Sequence, residues 1–277
     1  MQDGRGKRAS RRAMSFGGTL VVIAVSMSAL FSTRTGVRAQ QSHPMDNMAG
    51  MSESTTDLYG NPCDTAMGDM KGMSVMGESM AAMTNHMCVT PPRPPQPGDE
   101  ERAKAVVDQV RATIEKYKDY KKAIADGFIQ ANATVDQPQF HFNNNANDIL
   151  ANTRFDPTKP TSLLYYRTAK ERYKLEGVMF TASPNATEDD LNQRIPLSVV
   201  RWHKHTNFCA APADKTKEYF GDHPKFGMFG SIHARQACEA AGGKFFPEVF
   251  TWMIHVFPYE DGLKNQFSMD DDVIHVH

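Results

Sequence analysis

The chain has 277 residues, with 31 Lys and Arg against 32 Asp and Glu, four Cys and 17 Met. Residues 1–39 carry seven of the bases and one of the acids, so a chain cleaved after Ala39 keeps 24 bases against 31 acids and a net charge near −7. An acidic body argues against nucleic acid as a partner, because a polyanion is bound by a basic face. No further apolar run long enough to span a bilayer follows, so no membrane span is expected in the mature chain.

In chain order, residues 5–12 are basic and residues 16–31 are apolar, and Val37-Arg38-Ala39 places small residues at −3 and −1. This is the pattern of a cleavable signal peptide over 1–39, with cleavage before Gln40, so the protein is expected to be periplasmic or secreted. Ser10-Arg11-Arg12 partly matches a twin-arginine signal, with Met14 where Phe is usual. Residues 40–98 are rich in Met, Gly, Ser, Thr and Pro and cannot bury enough surface to offset chain entropy. They are expected to be disordered or weakly helical, ending in a stiff proline linker over 91–97 that marks a boundary.

From Asp99 the pattern changes. Ala103, Val106, Val107, Val110, Ile114 and Tyr117 recur at helical spacing, with Asp99 as a cap and Gly127 as the stop near Asp126. Strands are expected over 139–143, 162–167, 173–182, 199–208 and 249–257. A short helix is expected over 232–241, ended by Gly242-Gly243. Residues 99–277 therefore read as one α+β domain, with a leading amphipathic helix and a mainly antiparallel sheet.

Four cysteines in an exported chain favour disulfides over thiol ligands, and none lies in a Cys-x-x-Cys. Three pairings exist; pairing neighbours within each region gives Cys63–Cys88 and Cys209–Cys238.

Ten of the 17 methionines lie between 45 and 87. Met45, Met48 and Met51 form one cluster. Met67, Met70, Met73, Met76, Met80, Met83 and Met87 form another, at spacings that share one side of a helix. His43 and His86 sit among them. The thioether is a soft ligand with no proton to lose, which suits Cu(I). Packing is a weak rival explanation, since Leu, Ile and Phe are almost absent and Gly68, Gly72 and Gly77 intervene. An oxidant-absorbing tether is the other rival. The segment resembles the methionine-rich stretches of bacterial periplasmic copper-resistance proteins, and that resemblance covers residues 45–87 alone.

In the folded region, His203 and His205 alternate with Trp202 and Lys204. Read as a strand, Arg201, His203, His205 and Asn207 share one face and Val200, Trp202 and Phe208 the other, with the two histidines about 7 Å apart at Cα. Two imidazoles at that spacing can reach one metal ion, and a third His from elsewhere completes a common Zn, Cu or Fe site. His255 is the first candidate, on a strand apolar on both sides. His141, between Phe140 and Phe142, and His233, at the start of the expected helix that carries Cys238, follow. The plain alternative is that each is a hydrogen-bonded core histidine. His223 reads as a loop residue, and His275 and His277 as part of an acidic tail.

The phrases Phe155-Asp156-Pro157-Thr158-Lys159-Pro160, Ser162-Leu163-Leu164-Tyr165-Tyr166, Leu175-Glu176-Gly177-Val178-Met179-Phe180, Trp202-His203-Lys204-His205 and Trp252-Met253-Ile254-His255 are similar to those of a group of uncharacterised exported bacterial proteins. The resemblance spans most of 100–260 and implies a family without an activity.

No nucleophile elbow, phosphate loop, dinucleotide fingerprint or His-Glu-x-x-His is present. The sequence thus points to an exported transition-metal-binding protein, copper first and zinc or iron second, with a Met-rich Cu(I) arm and a separate His site. One rival is a metal-dependent enzyme in which Glu248 or Asp222 serves as acid or base. The other is a binding module whose histidines only form hydrogen bonds.

Overall fold

A computed structural model describes residues 56–63, 85–131, 133, 139–169, 172–219, 221 and 223–269. The expected signal peptide, Met45, Met48, Met51, Met67, Met70, Met73, Met76, Met80, Met83, Asp222, His43, His275 and His277 lie outside the described residues.

The fold is α+β. Seven strands form one antiparallel sheet: β1 (Met87–Val89), β2 (Ile129–Gln130), β3 (Gln139–Asn143), β4 (Ser162–Tyr166), β5 (Lys174–Ala182), β6 (His203–Ala210) and β7 (Lys244–Val256), in the order β1-β6-β7-β5-β4-β3-β2. Helix α1 (Asp99–Ile114) buries Ala103, Val106, Val107, Val110 and Ile114, the face set by the helical spacing. Three acids in its first turn and Arg111 in its last suit the helix dipole. The cap position is Gly98 rather than Asp99. The Asp99 carboxylate instead accepts from the Ser198 hydroxyl at 2.5 Å and the Gln96 N–H at 2.9 Å, and these bonds hold it below the ordinary carboxylate range.

The amphipathic pattern does not continue as one helix to Asp126. A 3-10 turn (Glu115–Lys118) leads to Asp119, whose extended backbone and side-chain bond to the Lys121 N–H start a new helix, α2 (Tyr120–Ala125). An Asp competing for nearby backbone donors breaks a helix and caps the next one. Helices α3 (Asn145–Ala151) and α4 (Glu188–Arg194) fall where no helix is expected from apolar periodicity; Asn144 caps the first and a Thr187/Asp190 capping box starts the second. Helix α5 (Arg235–Ala240) matches the expected short helix, and α6 (Leu263–Gln266) closes the described chain.

One face of the sheet packs on α1. Phe140, Phe142, Leu163, Tyr165, Val178, Phe180, Trp202, Trp252, Ile254 and Val256 join the helix residues in a single core. Burying each large side chain of this kind stabilises by about 1.5–3 kcal/mol, so this face supplies much of the driving force. The opposite face is also buried where Leu164, Met253, Met87 and Val89 lie. Among the described residues, no helix is long and apolar enough to cross a membrane.

The sheet extends upstream of Asp99. Strand β1 pairs with β6, and the Cys63–Cys88 disulfide ties residues 56–63 to it. The proline segment runs beside the α4 region, with the Arg93 N–H donating to the Leu197 carbonyl at 3.2 Å and its guanidinium paired with Glu188 and Asp189. Both disulfides join the pairs expected from neighbouring positions, the second being Cys209–Cys238, which fastens α5 to the end of β6.

Candidate metal centre

Strand period fixes which side chains of β6 share a face. His203 and His205 lie on the face away from α1, and Lys204 lies between them on the other. That histidine face is buried. β6 is an interior strand, flanked by β1 and β7, and His203 and His205 are 1% and 6% exposed. Met87 and Val89 of β1 pack here with Phe229 and Met269.

His255 of β7 joins the same face and is 2% exposed. The His203 ring centroid is 5.4 Å from that of His205 and 5.4 Å from that of His255. Two imidazoles sharing a tetrahedral ion at about 2.1 Å have centroids roughly 5 Å apart, so both separations suit a common ion. His141 of β3 extends the row, 6.2 Å from His255, although β4 and β5 lie between their strands. Among the described residues, no three His, Cys, Asp or Glu side chains are arranged as a ready set for a metal ion. The strands fix the Cβ positions, while ring orientation turns on two side-chain torsions. Pairwise separation is therefore the geometry that bears on the site.

The strand register adds a second kind of donor. Met87 is directly opposite His205, Met253 opposite His203, and Met179 opposite His255. Directly paired residues of antiparallel strands share a face, with Cβ atoms about 4.5–5.5 Å apart. Each of the three histidines thus has a thioether as its cross-strand neighbour. Between His203 and His205 the β6/β7 register shifts, and Phe250, inside that irregularity, has φ 66°. A positive φ at an aromatic residue is an outlier of backbone geometry. The shift is by an even number of residues, so Val249 and Met253 both stay on the histidine face. Phe250 itself is exposed, with its ring 6.1 Å from that of His205.

His233 lies elsewhere. It stands edge-on to His86 at 6.3 Å, and its Nδ1 is 3.2 Å from the Ser231 carbonyl. His86 is buried, with Nε2 2.7 Å from the Gly230 carbonyl, and acts as a hydrogen-bonded core histidine. His223 is exposed in a loop. The Cys209–Cys238 bond brings α5 to β6 without bringing His233 into the row.

Behind the histidines is a buried charge cluster that periodicity alone does not reveal. The Lys204 side chain is fully buried, with Nζ 2.6 Å from the Asp57 carboxylate, 2.6 Å from the Pro184 carbonyl and 3.5 Å from Glu248. It also lies over the rings of Trp252 at 4.6 Å and Tyr59 at 4.8 Å. Burial alone would raise the Asp57 carboxyl, but hydrogen bonds from Asn61 and Lys204 outweigh it and hold the group below its ordinary range. The sequence signal is parity: the alternation that puts Trp202 on the apolar face puts Lys204 there too. Its partner Asp57 is 147 residues away, in a segment without periodicity.

These positions bear on the enzymatic alternative. Glu248 is engaged with Lys204 on the far side of the sheet from the histidines. An open polar cleft lined by Asn152, Arg154, Ser183, Asn185, Asp190 and Arg194 contains none of them.

No protein-family model, no curated protein and no solved structure matches this chain.

Proposed function

We propose that this is an exported transition-metal-binding protein, with copper as the metal, that holds its ion on the histidine face of the sheet. The observation that carries the reading is the placement of His203, which is buried and lies 5.4 Å, ring to ring, from both His205 and His255. Imidazole nitrogens at such separations are the borderline donors with which proteins commonly hold Zn, Cu or Fe. His141 is an outer member of the row; His233 is not part of it.

Export is supported by the signal-like start and by two disulfides, which persist in oxidising compartments. The Cys63–Cys88 bond closes a loop of chain that carries Met67, Met70, Met73, Met76, Met80 and Met83, and its far end enters β1 at Met87, beside His205. A Cu(I)-capturing arm anchored there has its base at the histidine face. Elemental analysis of the purified mature chain against His203→Ala/His205→Ala tests the assignment. The double variant should lose one equivalent of metal; equal metal content in the two proteins would remove the histidine face as the site.

A further inference from the structure

We propose that the site in the folded domain is a mixed imidazole–thioether site selective for Cu(I), in which Met253 and Met87, with Met179 at its margin, act as ligands beside His203, His205 and His255. This rests on the reading that the histidine face holds the metal, and it names the ion and the additional donors.

Register places the sulfurs. His203 is opposite Met253, His205 opposite Met87 and His255 opposite Met179, in three different strand pairs. A pair with Cβ atoms about 5 Å apart can turn a ring nitrogen and a thioether toward one ion lying between them. Met87 and Met253 are 4% and 5% exposed, so both sulfurs are held with the imidazoles away from water.

Two physical arguments select Cu(I). Thioethers are soft donors that prefer Cu(I), whereas Zn(II) is satisfied by harder ones. All six side chains are also neutral as ligands. A buried ion surrounded by neutral donors keeps its full charge, and desolvating a monovalent ion costs far less than desolvating a divalent one.

Packing is the competing explanation for these methionines, since Met readily fills irregular apolar gaps. It predicts that Leu serves as well as Met for both fold and metal. The test uses the mature full-length chain with Met45, Met48, Met51, Met67, Met70, Met73, Met76, Met80 and Met83 changed to Ser, so that arm sulfurs do not contribute. Cu(I) affinity is measured by competition with a chromophoric Cu(I) chelator, and X-ray absorption at the copper edge reports sulfur in the first shell. Zn(II) affinity is measured alongside. Met→Leu nearly conserves volume, so Met87→Leu/Met253→Leu should remain folded. It should lose about tenfold or more in Cu(I) affinity and lose most of the sulfur signal, while Zn(II) affinity changes little. The absorption measurement on the parent chain needs no substitution at the site and decides the matter even if the double variant unfolds.

A parent spectrum with nitrogen only, or unchanged Cu(I) affinity in the Leu variant, would overturn the thioether ligands. The histidine reading would still stand if His203→Ala/His205→Ala abolishes binding of both ions. Unaltered Cu(I) and Zn(II) binding in that histidine variant would overturn both.

Discussion

The Lys204 ammonium lies 2.6 Å from the Asp57 carboxylate, with both side chains fully buried. Lys204 sits between His203 and His205, so this pair fastens residues 56–63 to the strand that presents the histidines. Removing Asp57 leaves the buried Lys204 charge with only the longer Glu248 contact and the Pro184 carbonyl, at a cost of up to about 3–5 kcal/mol. Asp57→Ala should show that loss as a lower denaturant midpoint. Asp57→Asn/Lys204→Met, which removes both charges, should recover part of it. A single variant as stable as wild type would show that the pair does not hold the loop.

The same pair sets an acid limb. The Asp57 carboxyl is held below its ordinary range, chiefly because hydrogen bonds from Asn61 and Lys204 overcome the effect of burial. A folded-state value below the unfolded one gives stability that is fully present above the unfolded carboxylate range. That stability is lost as pH falls through the lower folded value. Denaturation midpoints measured from neutral to strongly acidic pH should fall less steeply for Asp57→Asn than for wild type. Parallel curves would mean that Asp57 does not contribute to the acid limb.

How much of this was legible in sequence follows from the range of each interaction. The α1 face, five strands and both disulfide partners follow from local periodicity or nearest pairing, and each survives in the fold. The histidine pair on β6 follows from strand alternation, and His255 from its apolar surroundings. His233 does not join them, because the turn before α5 places its ring against His86. Strand β1 is three residues long and lies in a Met- and Pro-rich stretch, so only its partner β6 reveals it. The cross-strand methionines depend on the register of three strand pairs, with Met253 bordering the shift at Phe250, and no local pattern encodes that register.

The two disulfides should separate stability from metal binding. Their cysteines are 25 and 29 residues apart, so each loss should cost about 3–4 kcal/mol on loop entropy. Cys63→Ser/Cys88→Ser frees β1, and with it Met87, from beside His205. It should weaken metal binding as well as lower Tm. Cys209→Ser/Cys238→Ser should lower Tm alone. Equal metal affinity in the two variants would separate β1 from the site.

His86 provides a control for histidine substitution. Its ring is buried, with Nε2 2.7 Å from the Gly230 carbonyl. His86→Ala should destabilise by about 1–3 kcal/mol, the cost of leaving a buried group unsatisfied, and leave the metal stoichiometry unchanged. Loss of metal with retained stability would assign His86 to the metal centre instead.

Gly177 explains how β5 can run so close to β7 beneath the histidine row. A Cβ at this position would lie 2.5 Å from the Val256 carbonyl oxygen and 2.9 Å from the Phe257 ring. The oxygen is backbone and cannot rotate aside, so any side chain must push the strands apart. His255 and its neighbour Met179 pair across this same β5/β7 seam, two residues along β5 from Gly177. Gly177→Ala should therefore destabilise by about 1–3 kcal/mol from overpacking, and should weaken metal binding by displacing His255 from His203. Thermal melts and metal titration of the one variant measure both effects. A destabilised protein with wild-type affinity would show that the seam can open without moving His255 away from His203.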